Sequence, residues 1–155
     1  MAKILNIITD PDPNLKKPSR NVDLDSIKDI QGFLENLKET MEKKDGLGLA
    51  APQVGERIRV IVVKEGSGAI FMINPEITKK SWAKEWSEEG CLSVPDYYGQ
   101  VQRHKKITCS YLDEKGNKKK VHSQGLGARV IQHEIDHLDG ILFKDKAKDL
   151  KKSGE

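Results

Sequence analysis

The chain reads as an α+β domain, with mostly antiparallel β-sheets packed around a C-terminal helix and one N-terminal helix. Three observations lead there. Apolar residues recur at helical spacing from Ile27 to Met41 and again from Leu126 to Leu138. Between these stretches, short runs rich in β-branched and aromatic residues alternate with turn-forming clusters. The clusters are of hairpin type, which favours antiparallel pairing of the strands they join.

Taken in order, Lys3 to Thr9 reads as a short strand, and Asp10 to Val22, with three prolines, as an extended loop. Asp23 or Asp25 can cap the helix that follows. Ile27, Ile30, Phe33, Leu34, Leu37 and Met41 share one side of it, a stripe that reads as plain core, and it should stop near Lys44, ahead of Gly46. Gly46 to Gly55 is a Gly/Ala loop whose glycines allow close backbone approach to a ligand. Ile58 to Val63 and Ala69 to Ile73 are apolar strands joined across the turn Glu65-Gly66-Ser67-Gly68. Pro75 to Trp86 reads as a further, more exposed strand. Tyr97 to Val101, Lys105 to Leu112 and Lys118 to Val121 continue the sheet, the last two joined by a hairpin turn over Asp113 to Asn117.

The final helix carries Gln132-His133-Glu134-Ile135-Asp136-His137, an H-E-x-x-H pattern. Histidines four apart stack on one helix face, so their rings can take two adjacent corners of one metal ion, and the glutamate can handle the protons of a water there. At about 100° per residue, Leu126, Val130, His133 and His137 fall in a stripe roughly 60° wide. Ile131, Ile135 and Leu138 form a second, apolar stripe, with Glu134 on the border between the two. Gly140 is a plausible stop. Taken alone, such a short motif also fits an ordinary amphipathic helix.

A catalytic site of this kind needs three protein ligands and an open position. The pattern H-E-x-x-H-x-x-G-x-x-H would place the third at Phe143, which cannot ligate. Downstream, the one glutamate is Glu155, the final residue, and Asp145 and Asp149 sit in a lysine-rich stretch. Upstream, Cys109 alternates with Ile107 and Tyr111 as a buried core residue would. His104 and His122 sit among basic residues and read as surface. Cys91, between Gly90 and the Pro95 that ends its run, is the strongest candidate on local grounds.

Three stretches together resemble the peptide deformylase family: Gly46-Leu47-Gly48-Leu49-Ala50-Ala51-Pro52-Gln53-Val54-Gly55, Glu89-Gly90-Cys91-Leu92-Ser93, and Gln132 to His137. They stand in the family's order with family-like spacing, and the similarity runs over most of the chain. The resemblance implies a metal-dependent hydrolase that removes the N-formyl group from the formyl-methionine of nascent polypeptides and releases formate. It implies Cys91, His133 and His137 as ligands of one divalent metal, Fe(II) natively, with Zn(II), Ni(II) or Co(II) accepted. Glu134 would move the protons, while the Gln53 amide and the Leu92 backbone N–H meet the developing oxyanion. Leu47, Gly48 and Gly90 would pair with the substrate backbone. Leu126, Val130 and the His133 ring would wall a methionine pocket, in agreement with their shared stripe. Arg103 would contact the peptide further along, with a plain surface arginine as the alternative. Lys146 departs from the family, where an arginine is common, and the C-terminal extension is short. A metallopeptidase and a metal-stabilised binding module without catalysis are the rival readings.

Composition bounds the rest. At 155 residues the chain is expected to form one domain, residues 1–155. With 33% charged residues and no apolar run near the roughly 20 residues of a membrane span, it is expected to be soluble. Two cysteines make no disulfide framework and a metal-binding thiolate favours a reducing compartment, so with no signal or transit pattern the cytoplasm is the expected address. A net charge of +3 is too mild to argue for nucleic-acid binding, and no sequence-specific kind is expected. Lys144 to Lys152, with five lysines against two aspartates, reads as a solvated helix face or a frayed end. The resemblance adds contact with the ribosome as a second reading of this stretch.

Overall fold

A computed structural model describes residues 2–153; Met1, Gly154 and Glu155, the last weighed above as a ligand, lie outside the described residues. Among the described residues two α-helices pack with eight strands, which form two antiparallel sheets. The strands are β1 (Gly48–Ala50), β2 (Val60–Glu65), β3 (Gly68–Lys80), β4 (Lys84–Cys91), β5 (Val94–His104), β6 (Lys106–Leu112), β7 (Lys118–Gln124) and β8 (Lys148–Lys152). One sheet has the order β1-β2-β3-β6-β7 and the other β4-β5-β8. The helices are α1 (Gln31–Lys43) and α2 (Gly125–Leu138). Among the described residues no helix is long and apolar enough to cross a membrane.

The run Val60-Ile61-Val62-Val63 explains the layering. Side chains alternate across a strand, so a run that is apolar throughout must be covered on both faces. Val60 and Val62 pack with Leu34, Leu37 and Met41 of α1. Ile61 and Val63 pack with Ala128, Ile131, Ile135 and Leu138 of α2. The helix α2 is therefore central. Its apolar stripe lies on the larger sheet, and its polar side, Arg129, Gln132 and Asp136, is buried against the smaller one. It ends where Gly140 takes φ of 76°. There a Cβ would lie 2.4 Å from the Lys16 carbonyl oxygen, so no side chain fits.

Several boundaries differ from the sequence expectations. Lys3 to Thr9 forms no strand, because its amides serve different elements: Leu5 donates to Thr40 Oγ1 and Ile8 to the Gln53 carbonyl. The first helix opens as a 3₁₀ segment, Leu24–Ile30, with no side-chain cap from Asp23. Gly46 to Gly55 contains β1 and a 3₁₀ turn, Ala51–Val54. Pro75 to Trp86 is split between β3 and β4. Asn74 at φ 51° marks a break in register where Pro75 has no N–H to donate, and β3 then continues to Lys80. The basic stretch after Phe143 is neither a solvated α-helix face nor a frayed end: Lys144 and Asp145 complete a 3₁₀ turn, Phe143–Asp145, and Lys148–Lys152 form an edge strand on β5.

Candidate active site

A pocket of about 500 Å³ opens between α2, β1 and the β4–β5 turn. Each wall has a local cause in the sequence. The helix presents Leu126, Val130, His133 and Glu134 to it. The Gly/Ala segment contributes Gly46, Leu47, Gly48 and Gln53. From the smaller sheet come Gly90, Cys91, Leu92 and Tyr98. Gly48 is needed for contact: a Cβ there would sit 2.8 Å from Cγ and Oε2 of Glu134 and 2.9 Å from Val130. At Gly90 a Cβ would lie 2.7 Å from the Tyr98 ring. Both glycines let side chains of other elements close over the backbone.

Cys91 Sγ lies 3.3 Å from Nε2 of His137, and one donor atom from each of Cys91, His133 and His137 lies within 4.8 Å of the other two. Bonds of about 2.3 Å to sulfur and 2.0–2.1 Å to nitrogen at a tetrahedral angle separate two donors by roughly 3.5 Å, so the set fits a single divalent ion. At His137 the protonation state favours this as well. Burial holds the pKa of His137 well below the usual histidine range, leaving a neutral imidazole with a free lone pair. For His133 burial acts in the same direction, but Cys91 and the Glu89 carboxylate outweigh it and lift the pKa to about 10. Its Nδ1 is 2.8 Å from Glu89 Oε1, so Nε2 is the nitrogen left for a metal, and an ion bound there displaces its proton.

Glu134 is buried, and burial raises its pKa to about 7. Its Oε1 has no protein partner, which is rare for a buried carboxylate and characteristic of a group reserved for a ligand. Gln53 is held from several sides. Its Oε1 accepts from Ala50 N–H at 2.9 Å, while Nε2 donates to Ser93 Oγ at 3.1 Å and faces Cys91 Sγ at 3.5 Å.

Eleven of the residues singled out from sequence therefore meet at one place: Gln53, Leu92, Cys91, His133, Glu134, Leu47, Gly48, Gly90, Leu126 and Val130 line the pocket, and His137 lies behind them. Arg103 does not join them and is not a surface arginine either. It is 3% exposed, and its guanidinium is occupied by Glu89 at 2.9 and 3.0 Å and by Asp136. Cys109 is fully buried in the core, and His104 and His122 bond to Ser81 and Thr108 away from the site. Glu89 had no role in the sequence reading. It accepts from His133, Arg103 and Arg129, the last at 2.6 Å. Its spacing of two residues from Cys91 on a strand was the available signal.

The sequence model of the polypeptide deformylase family matches residues 4–153. The peptide deformylase of Carboxydothermus hydrogenoformans is 44% identical over 154 residues, covering 97% of this chain and 98% of its own. That of Pseudothermotoga lettingae is 46% identical over 134 residues, covering 86% and 77%. The crystal structure of the Ehrlichia chaffeensis peptide deformylase in complex with actinonin superposes with a TM-score of 0.90 at 38% identity, over 95% of this chain and 90% of that one. The chain belongs to the peptide deformylase family, and its reaction is the metal-dependent hydrolysis that removes the N-formyl group from the formyl-methionine of nascent polypeptides.

Proposed function

We propose that Cys91, His133 and His137 hold one divalent ion and that Glu134 carries the protons of deformylation. When bound, the ion supplies Lewis acidity toward the reacting oxygen at its open position. Glu134 accepts a proton from the attacking water and returns it to the departing amine, so that formate and a free peptide N-terminus result. A pKa of about 7 suits a group that must do both near neutral pH. As charge builds on the formyl oxygen, the Gln53 amide and the Leu92 N–H donate to it. Ala50 fixes which way the Gln53 amide points, and the N–H that faces Cys91 Sγ at 3.5 Å is the one that turns to this oxygen.

Leu47, Gly48 and Gly90 pair with the substrate backbone, and Leu126, Val130 and the His133 ring receive the methionine side chain. Iron(II) is the native metal in this proposal, with zinc, nickel or cobalt able to replace it, since one thiolate and two imidazoles suit each of them. The cytoplasm is the location, N-formyl-methionyl peptides are the substrates, and the exposed lysines of β8 contact the ribosome. Arg103 takes no part against the peptide, because both of its carboxylate partners would have to release it.

One observation carries this reading: a buried carboxylate with an oxygen that has no protein partner lines the same pocket as Cys91 and His133, with the third metal-type donor, His137, behind them. Glu134→Gln tests it. Metal content should match the unsubstituted protein while formate release from a formyl-methionyl peptide slows by about 10²–10⁴-fold. Turnover within a few-fold of normal contradicts the proton-carrying role. Internal cleavage of the peptide instead of formate release would favour the metallopeptidase.

A further inference from the structure

The second face of the larger sheet is covered only in part. Helix α1 packs over β2 and the first half of β3, where Val60, Val62, Phe71 and Ile73 meet it. Beyond that the strands run uncovered. On β6, Ile107 and Cys109 face α2, so Lys106, Thr108 and Ser110 face outward. The register places Gln124, His122 and Lys120 of β7 opposite these three. Two grooves cross this face, of about 550 and about 450 Å³. The first is lined by Lys79, Lys80, Lys106 and His122, the second by Lys118, Lys119 and Lys120, and the one carboxylate in either is Glu76. Among the described residues none of these lysines forms an ion pair.

Next to Ser81, which lines the first groove, stands Trp82, 97% exposed. The backbone on either side of it is braced. Ser81 N–H donates to the Lys106 carbonyl at 2.9 Å, Lys105 N–H to Ala83 at 3.0 Å, and Ser81 Oγ to Ala83 at 2.7 Å. The indole is thus presented in water on a fixed backbone, so only its own two side-chain torsions are left to order against a ligand.

We propose that this face binds single-stranded RNA without sequence preference, with phosphates on Lys79, Lys106, Lys118 and Lys120 and a base stacked on Trp82. A cationic track ending in an exposed aromatic face is how sequence-tolerant single-strand binding is built. An acidic peptide would use the lysines but not the indole. A duplex offers phosphates but no free base face. The source is RNA rather than DNA because the substrate is a nascent chain, which is made on an RNA-rich particle. The Ser110 hydroxyl, on the same face as Lys120, also suits a ribose.

The test is fluorescence anisotropy of a labelled oligouridylate titrated with the metal-loaded protein. Four phosphate contacts to a single strand give a salt exponent of about 2.8, so affinity should fall by roughly fifty-fold between about 50 and about 200 mM salt. Trp82→Ala should weaken binding by about tenfold, Trp82→Phe should restore most of it, and formate release should be unchanged in both. Lys106→Ala with Lys120→Ala should lower the salt exponent by about 1.4. The proposal is overturned by no binding at the lower salt, by affinity that ignores Trp82→Ala, or by duplex RNA or polyglutamate binding as tightly as the oligouridylate.

Discussion

Glu89 gathers His133, Arg103 and Arg129 around one buried carboxylate. Burial alone would raise its pKa, but hydrogen bonds from His133 and Arg103 outweigh this and hold it well below the usual carboxylate range. With a depressed folded-state pKa, its contribution to stability is present above the unfolded value of about 4.3 and is lost as pH falls through the folded value. At neutral pH, Glu89→Gln leaves buried cations short of a partner. It should cost about 3–5 kcal/mol in urea denaturation and loosen metal binding by about 10–100-fold. A loss below about 0.5 kcal/mol would mean that Glu89 organises nothing. Cys91→Ser should release metal to a chelator far faster than Cys109→Ser; equal release would place the third ligand elsewhere. The H-E-x-x-H histidines and Cys91 could be read from sequence because spacing and local flanks carry them. The ion-pair network could not. Charged residues read as surface until their partners are known, and Arg103 meets Glu89 and Asp136 from 14 and 33 positions away.

Among the elements, β1 does most for its length. Its three residues pair with β2 and bring Gly48 against Glu134, so the edge of the larger sheet becomes a wall of the pocket. Gly48→Ala should displace the Glu134 carboxylate and lower kcat by about 10²-fold with metal content unchanged, a displacement near 1 Å being enough. Unaltered kcat would show that the contact is not needed for positioning. From sequence this segment is a Gly/Ala loop, because three residues are too few to display an alternating pattern. β8 is concealed for a different reason: it is exposed along its whole length, and only backbone pairing with β5 makes it a strand. The Pro75 to Trp86 stretch errs the other way. A proline invites a boundary, but Asn74 takes the positive φ and the strand goes on beyond it.

For the whole molecule, α2 is the organising part, held between two antiparallel sheets with its apolar stripe on one and its ionic side on the other. The α+β class was legible because each layer leaves a periodic trace: both helices show apolar spacing, and β2, buried on both faces, shows an unbroken apolar run. The division into two sheets was not legible, since it depends on which strands pair and hairpin signals fix neighbours only. That division is what lets Cys91, at the end of one sheet, reach histidines whose helix is seated on the other. X-ray absorption of the zinc-loaded protein tests this convergence most directly. One sulfur scatterer near about 2.3 Å with two imidazole nitrogens near about 2.0–2.1 Å is expected, the remaining coordination coming from solvent oxygen. A spectrum with no sulfur, with two sulfurs, or with a fourth protein donor closing the site would contradict it.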